Sequence, residues 1–98
     1  MRSMATVSTE AAARYAKQLV SHLGHKVAVE DVPGMAGAQR LLFAYGSGIV
    51  WHREGRLFLE ADADDEQSLE RVQDVLARHL ARFGRRAELT VSWQREDR

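Results

Sequence analysis

Residues 40–61, RLLFAYGSGIVWHREGRLFLEA, decide the fold. Apolar and polar positions alternate with the period of two that an extended strand imposes, and residues that turn a chain interrupt the alternation twice. Gly46-Ser47-Gly48 separates a strand over residues 40–45 from one over 48–53, and Glu54-Gly55 separates that strand from a third over 56–61. Connections this short predict antiparallel neighbours, so the segment reads as a meander. With the turns so placed, Leu41, Phe43, Tyr45, Ile49, Trp51, Leu57 and Leu59 share one side of the sheet. Leu42, Ala44, Val50, His52 and Phe58 share the other, which is more apolar than a solvated sheet face needs.

On both flanks the apolar period changes from two to 3.6. From Thr9 to Leu23, Ala12, Tyr15, Ala16, Leu19 and Leu23 form one helical stripe. Ser8 is the expected N-cap, Glu10 the favourable first-turn acid, and Gly24 the left-handed C-terminal residue. Downstream, Leu69, Val72, Val75, Leu76, Leu80 and Phe83 lay a second stripe, with acids at 62–66 before it and Gly84 ending it. Arg78, Arg82, Arg85 and Arg86 sit where cations complement a helix C-terminus. Val27 and Val29 alternate in a strand after the first helix, and residues 32–37 form a loop around Pro33. Leu89, Val91 and Trp93 alternate in a last strand, and Ala5-Thr6-Val7 make a short first one after a partly disordered lead-in over residues 1–4. The order predicts an α+β two-layer sandwich, with two helices packed on one face of a mostly antiparallel sheet of four to six strands. Tyr15, Trp51 and Trp93 are expected to point into that layer.

Ninety-eight residues, 45% apolar and 29% charged with a single proline, match one small domain over residues 1–98. Fourteen basic and fourteen acidic residues cancel, which removes the electrostatic case for nucleic acid or an anionic membrane surface as partner. The absence of cysteine excludes disulfides, thiolate metal sites and thiol nucleophiles. The first ten residues lack the apolar core of a signal peptide and no stretch reads as a transmembrane helix, so the expected location is the cytoplasm.

Several separate segments together resemble one family: Arg14-Tyr15, His22, His25-Lys26, Gly46-Ser47-Gly48, His79-Leu80-Ala81-Arg82-Phe83, and Glu88-Leu89-Thr90-Val91-Ser92-Trp93. The chain resembles the bacterial domain of unknown function 2218 from about Thr6 to Trp93, and departs from its pattern at residues 31–39 and 62–66. The resemblance assigns no activity. It implies a small bacterial protein associated with siderophore and iron handling, with a siderophore-interacting reductase as a partner.

Imidazoles suit transition metals, so His22, His25 and His79 raise a metal reading. If the first strand pairs parallel to the strand after the first helix, the two helices run antiparallel. His79 then lies roughly 21 Å along its helix, at the level opposite His22. No metal or cofactor is therefore expected. Catalytic signatures are missing as well: Ser21 and His22 diverge by about 100° on a helix, and Gly46-Ser47-Gly48 precedes no helix. The expectation is a non-enzymatic binding or accessory module, with His22, His25, Lys26, His79 and Arg82 as the ligand-binding set. The uncovered sheet face, through Leu42, Val50, His52 and Phe58, is the expected interface and offers a homodimer contact. The alternatives are a small enzyme or metal-dependent protein using His22, His25 or His79, and a structural partner of a siderophore reductase.

Overall fold

The computed structural model describes residues 1–83 and 89–96. Its elements run β1 (Arg2–Ser8), α1 (Ala12–Leu23), β2 (Ala28–Asp31), β3 (Gln39–Phe43), β4 (Gly46–Arg53), β5 (Arg56–Asp62), α2 (Glu66–Phe83) and β6 (Trp93–Arg95). The strands form one sheet in the order β2-β3-β4-β5-β1-β6, antiparallel at every pairing. Helix α1 lies across β4, β5 and β3, and α2 lies across β4 and β5, so both cover the same face as expected. Leu19, Leu41, Leu57, Leu59, Leu69, Leu76 and Leu80 meet between the layers, sealed from solvent. Tyr15 is buried among them, and Trp93 packs against their edge.

The first strand is longer and placed elsewhere than the sequence suggests. It takes in residues 2–4: the Met1 amine donates to the Ala63 carbonyl at 2.8 Å, and Arg2 to Ser8 pair in register with Asp62 to Arg56. β1 therefore lies between β5 and β6, antiparallel to both; it runs in the same direction as β2 but is separated from it by three strands instead of pairing with it. Ser3 is wholly buried on its inner face, its hydroxyl accepting from Gln73 Nε2 of α2 at 2.5 Å.

Helix boundaries also shift. Ser8 ends the strand, and the Thr9 hydroxyl accepts from the Ala11 amide instead, so α1 begins at Ala12 with no acid in its first turn. Gly24 caps α1 with right-handed angles. What requires glycine there is space, because a Cβ would stand 2.8 Å from the Val20 carbonyl oxygen. At α2, Asp65 Oδ1 accepts from the Ser68 amide at 2.7 Å, which caps the helix and holds the Asp65 carboxyl below its usual range. Gly84, Arg85, Arg86 and Glu88 lie outside the described residues. β6 starts only at Trp93, opposite Ala5; Leu89 and Val91 precede it and still pack against the core.

The register of β4 is inverted relative to the sequence reading. The first hairpin turns through Ala44 and Tyr45, not through Gly46-Ser47-Gly48, and Phe43 pairs with Gly46. A change of one residue in a strand's phase moves every side chain to the other face. Gly46, Gly48, Val50 and His52 accordingly lie on the helix side, while Ile49 and Trp51 face outward. The two glycines are strand residues over which α2 packs: a Cβ at 46 would come 2.5 Å from the Asp62 carbonyl oxygen, and one at 48 would come 2.9 Å from Leu76 Cδ1. The second hairpin keeps its expected position at Glu54 and Gly55, whose φ angles of 40° and 76° are those of a primed two-residue turn.

Candidate functional site

Two clusters of side chains remain once the core is accounted for. The first lies where the last turns of the two helices meet. The His22 and His79 rings stand 5.0 Å apart between centroids, tilted by 44°, and Phe83 presents its edge to His22 at 5.4 Å. The expected separation of these histidines onto opposite levels is overturned. That separation assumed β1 and β2 to be neighbours, whereas three strands stand between them, so α1 crosses the sheet over β5, β4 and β3.

The chemistry of the cluster follows from its hydrogen bonds and charges. His79 Nδ1 lies 2.8 Å from the Val75 carbonyl oxygen, which can only accept, so Nδ1 carries the proton and Nε2 is left toward the cluster as the second ring nitrogen. His22 makes its ring contacts on the flank of that imidazole. Partial burial lowers the His22 pKa first, and the positive charges of His79, Arg82, Lys26 and His25 lower it further. The largest charge effects on His22 thus all come from basic groups. His25 and Lys26 reach this position because α1 ends in a tight turn, with the Lys26 amide donating to the Leu23 carbonyl at 2.9 Å. Of the five residues expected to bind a ligand, His22 and His79 are in ring contact, and Arg82, Lys26 and His25 lie near enough to act electrostatically on His22. Phe83, whose ring meets His22, was expected only as a core residue.

No group of three or more His, Cys, Asp or Glu is placed to hold a metal ion among the described residues. Three of the acids at 62–66 have other partners. Asp65 caps the helix, Asp62 pairs with Arg2 at 3.4 Å, and Glu66 pairs with Arg95 at 3.1 Å.

The second cluster is the uncovered face of the sheet, and here the expected interface set is split. Val50 is 1% exposed beneath the helices, and His52 stands on the same side, beside Lys17 and Gln39 in a cleft under α1. Leu42 and Phe58 do lie on the outer face, joined by Ile49 and Trp51, which had been assigned inward. Trp51 and Phe58 pair across β4 and β5 with their rings stacked, 5.2 Å between centroids and 10° from parallel. The signal that could have found them is the Gly46/Gly48 spacing. Two small residues two apart in a strand suit a position beneath the large α2 residues Val72 and Leu76, which sends Trp51 outward.

A model of the DUF2218 family, described as an uncharacterized protein conserved in bacteria, matches residues 4–94. The NMR structure of PA4090 from Pseudomonas aeruginosa is similar throughout, with a TM-score of 0.78 and 32% sequence identity over 99% of this chain and 98% of that one. No curated protein matches the chain. No described helix is long and apolar enough to cross a membrane.

Proposed function

The chain belongs to the DUF2218 family of uncharacterized bacterial proteins, and from that membership we propose that it is a small non-enzymatic binding module of the cytoplasm that holds an anionic ligand at the meeting point of its two helices. The observation that carries this reading is the charge around His22: His79, Arg82, Lys26 and His25 all act on it in the same sense. Gathering these basic groups favours a local positive potential in a chain whose formal charge is zero. A carboxylate- or phosphate-bearing molecule relieves that potential and can accept hydrogen bonds from Arg82, Lys26 and the His22 imidazole N–H. The ring of Phe83, packed edge-on against His22, adds an apolar contact for the hydrocarbon part of the same ligand. The association with siderophore and iron handling, and with a siderophore reductase as partner, rests on the family resemblance alone. It makes a ferric carboxylate complex a suitable member of the ligand class to try.

The test is a titration of the isotope-labelled protein with inorganic phosphate, citrate and ferric citrate, followed through the His22 and His79 ring signals. Saturable shifts centred on these two rings, weakened at least about tenfold in Arg82→Glu and in Lys26→Glu, are expected. Shifts that do not saturate, or that are unchanged in both variants, refute an anion site here.

A further inference from the structure

The uncovered face of the sheet can be written out row by row, because the strand register fixes which residues stand side by side. One row reads Glu30, Arg40, Ile49, Glu60, Met4, Gln94 across β2 to β6. Toward one end of the strands lies Leu42, Ser47, Asp62, Arg2; toward the other lie Trp51, Phe58, Thr6, and beyond them Arg53 opposite Arg56. The face is therefore banded along the strands: carboxylates, then aromatics, then arginines.

The bands are not equally satisfied. At the acidic end Arg40 pairs with Glu30 at 3.1 Å, and Arg2 reaches both Glu60 and Asp62, yet Glu60 also feels Glu96 and Asp62, so acid outnumbers base. At the other end Arg53 and Arg56 face each other directly, and neither joins an ion pair among the described residues. Like charges directly opposite on neighbouring strands repel. Between the two ends the stacked Trp51–Phe58 pair stays partly exposed.

We propose that this face binds a second copy of the chain, sheet to sheet, about a two-fold axis that runs across the strands at the Trp51–Phe58 row. Only that axis satisfies the charges. An axis parallel to the strands would lay the arginine band of one copy on the arginine band of the other. The axis across the strands reverses the bands, so Trp51 and Phe58 meet their own counterparts and Arg56 comes over Glu60 of the second copy, twice by symmetry. Sheets packed face to face stand about 10 Å apart, near enough for both contacts. The patch measures only about 20 × 20 Å, below the footprint of a permanent dimer, so association is reversible and concentration-dependent.

The experiment is sedimentation equilibrium from about 10 to about 500 µM, a range suited to a small interface, on the wild type, Arg56→Glu and Glu60→Arg, with circular dichroism confirming that each is folded. The wild type is expected to rise toward the dimer mass. Each variant alone should stay monomeric, since it sets like charges together at both contacts. Their equimolar mixture should recover the dimer, because every contact then joins Glu to Arg. If Glu60→Arg fails to fold through loss of the Arg2 contact, a spin label on Ser8→Cys supplies the readout, the native chain having no cysteine. It should broaden the Met4 and Glu60 amides of a separate, isotope-labelled copy. A monomeric wild type, a variant that dimerises as the wild type does, a folded mixture that stays monomeric, or the absence of that broadening overturns the proposal.

Discussion

Gly48 of β4 lies directly under Leu76 of α2, so close that a Cβ at position 48 would stand 2.9 Å from Leu76 Cδ1. That contact sets how closely the second helix approaches the sheet, and with it which face of β4 is the inner one. Gly48→Ala should therefore act as overpacking and lower stability by about 1–3 kcal/mol. Gly46→Ala, which meets the Asp62 backbone, should do more harm than Gly34→Ala, where φ is +80° but nothing lies within 4 Å. Urea denaturation of the three variants gives the order; equal midpoints for Gly48→Ala and wild type would contradict the packing.

The inverted register of β4 is open to a second test. Val50 is buried and Trp51 faces outward, the reverse of what alternation from the glycine triplet suggests. Val50→Lys should prevent folding, since it places an unpaired charge in the core. Trp51→Lys should leave a folded protein with near-native circular dichroism. A folded Val50→Lys beside an unfolded Trp51→Lys would show the opposite face to be the core.

For His22 the direction of the pH effect follows from its lowered pKa. The folded state binds the His22 proton less well than the unfolded chain does, so protonation favours unfolding. Above about pH 6.5 the ring is neutral in both states and contributes nothing. As pH falls from there through the folded value, this histidine subtracts stability, and His22→Gln should flatten that part of the stability curve. Saturating phosphate should raise the His22 pKa, visible as an upward move of its ring titration. A His22 midpoint at or above the ordinary imidazole value of about 6.5 would contradict the electrostatics.

The Ser3–Gln73 contact joins the first strand to the second helix through a wholly buried hydroxyl. Gln73→Ala should cost about 1–2 kcal/mol by leaving that hydroxyl without its donor. Ser3→Ala combined with Gln73→Leu should recover most of the loss. A thermodynamic cycle over the two positions with no coupling energy would show that the bond contributes nothing.

What could be read from residues alone was whatever depends on neighbours in sequence. The stripes of Tyr15, Leu19 and Leu23 and of Leu69, Val72, Leu76 and Leu80 name both helices and their buried sides, because a helix returns to the same face every three or four residues. The primed turn at Glu54 and Gly55 and the loop around Pro33 were legible for the same reason. So was the two-layer arrangement, since two one-sided helices need one sheet face to cover.

Tertiary structure decided the rest, and in each case the deciding contact joins distant parts of the chain. The phase of β4 depends on one turn being Ala44-Tyr45 instead of the glycines after it, and what excludes larger residues at 46 and 48 is α2. Because a strand has a period of two, that single choice moved Val50 inward and put Trp51 against Phe58 outside. The meeting of His22 with His79 depends on β1 entering between β5 and β6, a pairing fixed by its whole register with Arg56 to Asp62. Local pattern specifies which side of each element is apolar; only the packing of remote elements specifies which of those sides meet.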